Sequence, residues 1–116
     1  MYIVYGIPNC DTVKKVFNWF QARKIAYQFH DYKKEGILPA QLKKWCGQVG
    51  WETLLNKKST TWRGLDAKTQ ASIVNEKSAV QLMTEHTSII KRPVIEKEGK
   101  VIAVGFNETA YQNIFQ

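Results

Sequence analysis

The chain has 116 residues, 44% hydrophobic and 23% charged, the balance of one globular domain with a core of its own rather than of a disordered segment. No apolar run reaches the ~18 residues of a membrane span, and the N-terminus lacks the basic flank and small-residue cleavage site of a secretion signal, so a cytoplasmic protein without membrane contact is expected. The net charge of +7 draws anions, but the basic residues come as scattered pairs (Lys14-Lys15, Lys33-Lys34, Lys43-Lys44, Lys57-Lys58), which suit solvated faces better than a track for nucleic acid.

Tyr2 to Tyr5 form an uncharged run of aromatic and β-branched residues that Gly6 and Pro8 end, which predicts a buried strand. Val13, Val16, Phe17 and Phe20 then fall at i, i+3, i+4 and i+7, predicting an amphipathic helix over 11–22 with Asp11 and Thr12 in its first turn. Cys10 stands where strand hands over to helix. The first amides of a helix have no partner inside it and the helix dipole is positive there, so both would stabilise a thiolate. A free cysteine titrates at about 8.5, and surroundings of this kind bring it to roughly 3.5–7.5. Two readings stand on these residues alone: a reactive thiolate, or a buried apolar cysteine without a role. Lys14 and Lys15 add only a weak, screened field.

Ile25, Tyr27 and Phe29 alternate with polar residues and predict a second strand over 25–30. Strand, helix and strand make a right-handed βαβ unit whose two strands run parallel, so Cys10 lies on the carboxyl edge, where open α/β sheets hold their ligands. Lys33 to Gly36 reads as a polar loop. Pro39 opens a helix at its favoured first position, with Leu42, Trp45, Cys46 and Val49 on one face and Gly50 as its stop. Cys46 is read as core filling in preference to a resolving partner for Cys10. It stands thirty-six residues from Cys10, which is neither C-x-x-C nor a zinc spacing, and His30 and His86 have no neighbours at ligand spacing, so no metal site is expected.

Trp51 to Leu55 adds one more helical turn. The polar stretch 56–65 has no periodicity and carries Arg63 between Trp62 and Gly64. It is either an anion clamp or a surface arginine beside an anchoring tryptophan. Asp66 and Asn75 cap two helices, 66–74 and 76–86, with Ala71, Val74, Ala79, Leu82 and Met83 as their apolar positions. Residues 39–90 are thus an all-helical insertion within a single domain, 1–116. Val94 to Glu96 and Val101 to Val104 are short strands around a Glu98-Gly99 turn, which completes a four-stranded mixed sheet. Asn107 caps a last helix with Tyr111, Ile114 and Phe115 turned inward.

YGIPNCDTVKK, taken with IIKRPVIEKEGKVIAVGFNE near the other end, resembles the arsenate reductase-related family that includes the Spx regulators, most of all its YffB-like branch, over nearly the whole chain. The resemblance implies an α/β, thioredoxin-like fold with a helical insertion between strands 2 and 3, and thiol chemistry at Cys10. It also implies a cis bond between Arg92 and Pro93 beside the nucleophile, with Arg92 binding an anion there. Arsenate reductases of this family surround the oxyanion with three arginines, of which only Arg92 has a counterpart; Glu52 and Phe106 fall at the other two. Arsenate reduction is therefore disfavoured, even with Arg63 as a substitute clamp. Val13 at the fourth position of CDTV excludes the C-x-x-C switch of the Spx regulators.

What the resemblance leaves is monothiol chemistry. The expectation is a glutathione-dependent thiol-disulfide reductase with Cys10 as nucleophile, Asn9, Thr12 and the first-turn amides as its stabilisers, and Arg92, Pro93 and Arg63 around the anionic substrate. No bound cofactor is expected; glutathione serves as co-substrate and glutaredoxin as a further partner. The alternative is a non-catalytic Spx-like module that docks on RNA polymerase.

Overall fold

In the computed structural model, which describes residues 1–115, the chain forms two units, one of residues 1–35 with the described residues from 92 on, and one of residues 36–91. The first holds the sheet. β1 (Tyr2–Gly6) lies between a parallel β2 (Tyr27–Asp31) and an antiparallel β3 (Val94–Lys97), and β4 (Lys100–Val104) pairs with β3, giving the order β2-β1-β3-β4. This mixed four-stranded α/β arrangement is thioredoxin-like. The β3–β4 hairpin closes through Glu98 and Gly99, both with positive φ (53° and 80°), as the two-residue turn with matching twist requires.

α1 (Asp11–Ala22) and α8 (Glu108–Ile114) contribute to one core with the even-numbered face of β1. Val4 and its cross-strand partner Ile95 meet Val16, Trp19 and Phe20 from α1, and Tyr111 and Phe115 from the chain end. Phe20 is fully buried and sits edge-on to Phe115, ring centroids 5.0 Å apart. Trp19 falls outside the i, i+3, i+4, i+7 stripe yet is also buried, because Tyr111 and Phe115 cover that side of the helix at 5.4 and 5.7 Å. Ile114 is 40% exposed rather than turned inward; the covered side of this segment is taken by Tyr111 in α8 and by Phe115 just after it.

Two local differences from the sequence expectation have a visible cause. β2 starts at Tyr27 and not at residue 25, since the amide of Ile25 still donates to the Phe20 carbonyl (3.0 Å) and Lys24 takes a left-handed φ of 57° to end α1. Residues 33–36 are not a plain loop. Tyr32–Glu35 forms a turn of helix, α2, because the Asp31 carboxylate accepts from the amides of Lys33 (3.0 Å) and Lys34 (3.2 Å), while Glu35 accepts from the Asp31 amide (3.2 Å).

The second unit is helical. α3 (Pro39–Val49) begins with its proline in the first turn and ends on Gly50 at φ 88°. It packs on α4 (Trp51–Leu54) and α7 (Glu76–Glu85), burying Leu42, Trp45, Cys46, Leu54, Ala79, Leu82 and Met83. The middle of this unit is tied to its end by the antiparallel bridge of Leu55 with Ile90 and by the Lys91 amide on the Leu54 carbonyl (2.7 Å). Within the polar stretch 56–65, Ser59 caps a turn of helix, α5 (Thr60–Arg63), that buries Trp62. Asp66 and Asn75 are caps, but α6 covers only Ala67–Ala71 and Val74 is 69% exposed. The reason is the next cap: Ser78 Oγ accepts from the amides of Val74 and Asn75, which draws that segment out of the helix before it.

Candidate active site

Three loops meet at one edge of the sheet. β1 and β2 run parallel and end in register at Gly6 and Asp31, and β3 runs the other way and begins at Val94 opposite Tyr5. The segments after β1, after β2 and before β3 therefore emerge together. They carry Cys10, Tyr32 and Arg92.

Cys10 is the N-cap of α1, with extended backbone (φ −115°, ψ 125°), and its carbonyl accepts the first helical bond from the Lys14 amide (2.9 Å). The sulfur is half-buried and free of any disulfide. As N-cap its side chain accepts no hydrogen bond of full cap geometry, so the helix amides act on the sulfur as nearby dipoles rather than through a closed cap. Burial alone would push its pKa up, but the Val13 amide, the Arg92 guanidinium by hydrogen bond and by charge, and the Thr12 amide all favour the ionised form and together outweigh it. The net result is a thiol below its ordinary value. Cys46 goes the opposite way: burial, aided by the charge of Glu76, pushes it up to about 11. The two cysteines of the chain are thus shifted in opposite directions, Cys10 toward its ionised form and Cys46 away from it.

Arg92 is half-buried and joined to a buried Pro93 by a cis peptide bond. The Pro93 carbonyl accepts from the Gly105 amide (2.8 Å), which ties this turn to the end of β4. Of the residues singled out in the sequence, Cys10, Thr12, Arg92 and Pro93 gather here, Thr12 through its backbone amide. Asn9 lies in the preceding turn with its side chain exposed. Arg63 belongs to the second unit, exposed at the end of α5 beside the buried Trp62. Sequence reasoning passed over Tyr32. Local rules do not single it out, since the predicted strand ends at residue 30 and only the pairing of β1 with β2, Gly6 opposite Asp31, sets it beside the turn that leads to Cys10.

Gly6 fits the site for a steric reason. A Cβ on it would stand 2.9 Å from Cγ2 of Val13, a fully buried side chain with no room to yield. Gly6→Ala is expected to destabilise the fold by about 1–3 kcal/mol in urea unfolding. It should also slow Cys10 alkylation, because the displaced residue carries the amide that steadies the thiolate.

The ArsC family model matches residues 5–114, all but the ends of the chain. The chain belongs to the ArsC family. It is 43% identical to the YFFB protein over the full length of both, with a TM-score of 0.92. An arsenate reductase-related protein of Brucella melitensis shares 43% identity over 99% of this chain and 94% of its own, with a TM-score of 0.79. The global transcriptional regulator Spx of Lactiplantibacillus plantarum is 26% identical over 93% of this chain and 81% of its own. Among the described residues, no helix is long and apolar enough to cross a membrane, and no group of three His, Cys, Asp or Glu side chains could hold a metal ion.

Proposed function

We propose that this ArsC-family protein is a glutathione-dependent thiol-disulfide reductase that works with one cysteine. The observation that carries the reading is the pull on the Cys10 sulfur by two helix amides and the Arg92 guanidinium, which outweighs its partial burial. In the first step the Cys10 thiolate attacks the glutathione sulfur of a mixed disulfide, R–S–S–G. The new bond is Cys10–S–S–G, and R–S⁻ leaves with the electron pair of the broken bond and takes a proton from solvent. Glutathione thiolate then attacks the glutathione sulfur of that adduct, releasing glutathione disulfide and restoring Cys10 as thiolate. Across both steps the substrate disulfide gains two electrons and two glutathionyl groups are joined. The resolving thiol comes from outside, because Cys46 is buried and its thiol stays protonated at neutral pH.

Charge supports a disulfide over an oxyanion as substrate. The thiolate already takes up much of the Arg92 charge, whereas a disulfide brings no charge to the reacting atoms and an arsenate brings one or two. Arg92, Pro93 and Asn9 would hold the glutathione backbone and carboxylates, with glutaredoxin as a further partner and the cytoplasm as the setting. A second reading, a module that docks on RNA polymerase without chemistry, rests on the likeness to Spx and on the net charge of +7. The test is to expose the protein to glutathione disulfide and digest it for mass spectrometry. A glutathione adduct on Cys10, absent from Cys46 and released by reduced glutathione, is the expected result. No adduct on Cys10, with equal capture of RNA polymerase by wild-type and Cys10→Ser protein, would favour the second reading.

A further inference from the structure

We infer that Tyr32 is a positioning residue for the thiolate: its buried hydroxyl holds the Arg92 guanidinium against the Cys10 sulfur. This rests on the reading of Cys10 as the nucleophile. The placement follows from the fold. Asp31 and Gly6 are in register at the ends of parallel strands, so the residue after Asp31 comes out beside the turn that leads to Cys10. The capped turn α2 then fixes the direction in which Tyr32 points, with Asp31 and Glu35 exchanging bonds with the backbone around it. Tyr32 is only 1% exposed although the lysines that follow it are exposed.

Arg92 and Tyr32 share a hydrogen bond, and the same guanidinium bonds to and charges the surroundings of Cys10. Arginine can only donate, so the phenol oxygen is the acceptor. A guanidinium on a flexible stem gives up rotamer freedom whenever it is held, and its planar fork offers one arm to each of two partners at once. Tyr32 suits the second arm because of its neutrality. Burial pushes its ionisation far up, against the opposing pull of Arg92, so it anchors the arginine without cancelling the positive charge. A carboxylate in that place would bind the guanidinium harder and weaken what Cys10 feels.

The experiment is the pH profile of alkylation by iodoacetamide, an uncharged reagent, with the Cys10 peptide followed by mass spectrometry in full-length protein. Tyr32→Phe keeps the ring and removes the oxygen. It is expected to move the profile toward higher pH and to cut the rate at pH 7 roughly threefold, and to cost nothing further in an Arg92→Ala background. A Tyr32→Phe profile that overlays the wild type, or a loss of the same size in the Arg92→Ala background, overturns the inference. Where Tyr32→Phe fails to fold, Arg92 side-chain NMR of the wild type decides. A slowly exchanging Hη signal with a contact to the Tyr32 ring supports the inference, and an averaged one overturns it. Alkylation needs no glutathione. A wild-type thiol with a lowered profile that forms no glutathione adduct would remove the reductase reading and leave this role of Tyr32 in place.

Discussion

Cys10→Ser protein should form no glutathione adduct and turn over no mixed disulfide, a loss limited only by assay background. The field at the start of α1 remains in the variant, since the amides of Thr12 and Val13 and the Arg92 guanidinium belong to other residues. What goes is the one atom whose ionised form that field favours. Cys46→Ser should leave both assays unchanged, because a buried thiol held up at about 11 supplies no thiolate at pH 7. Retained turnover in Cys10→Ser, or loss in Cys46→Ser, would count against the mechanism.

The pH dependence has a definite sign. The wild-type alkylation rate should rise with the thiolate fraction of Cys10 and level off at a lower pH than for an unstructured cysteine peptide, since the folded thiol is lowered. Linkage carries the same sign into stability. The contribution of Cys10 is present above its unfolded pKa and is lost as pH falls through the folded value. Cys46 acts in the other direction, its contribution being present below its unfolded pKa and lost as pH rises through about 11. Unfolding of wild-type protein against the two single serine variants separates these opposed slopes on the alkaline side.

The parts of this architecture that were legible in the sequence are those fixed by local rules. The α1 stripe, the proline at the start of α3, the Asp66, Asn75 and Asn107 caps and the Glu98-Gly99 turn each depend on a few neighbouring residues. Cys10 could be found for the same reason, being defined by strand end and helix start. What escaped was set by partners distant in sequence. Trp19 is buried only because Tyr111 and Phe115 arrive from the chain end. Tyr32 acquires its place only when strand pairing brings residue 92 to residue 10, and no periodicity within residues 25–36 encodes that. The α2 and α5 turns were missed for a smaller reason, since a single side chain, Asp31 or Ser59, converts a polar stretch into a helical turn.

Phe20→Ala should be the most damaging core substitution of the sheet unit, lowering unfolding stability by about 3–5 kcal/mol in urea titration. That is a large share of the roughly 5–15 kcal/mol a domain of this kind holds. The side chain is fully buried, and the rings of Tyr2, Trp19, Tyr111 and Phe115 all pack on it within 6.3 Å, so a void there has no single neighbour able to fill it. Aromatic pairs of this kind add to the area term. Cys10 lies at the other end of α1, about 15 Å away along the axis at 1.5 Å per residue. Its partners, the Thr12 and Val13 amides and Arg92, are not among the rings packed on Phe20. Below the temperature at which the variant melts, the pH profile of Cys10 alkylation should therefore stay that of the wild type. A profile displaced in proportion to the lost stability would mean that the thiolate depends on the packing of the whole helix. An unchanged one would mean that the first turn and Arg92 are sufficient.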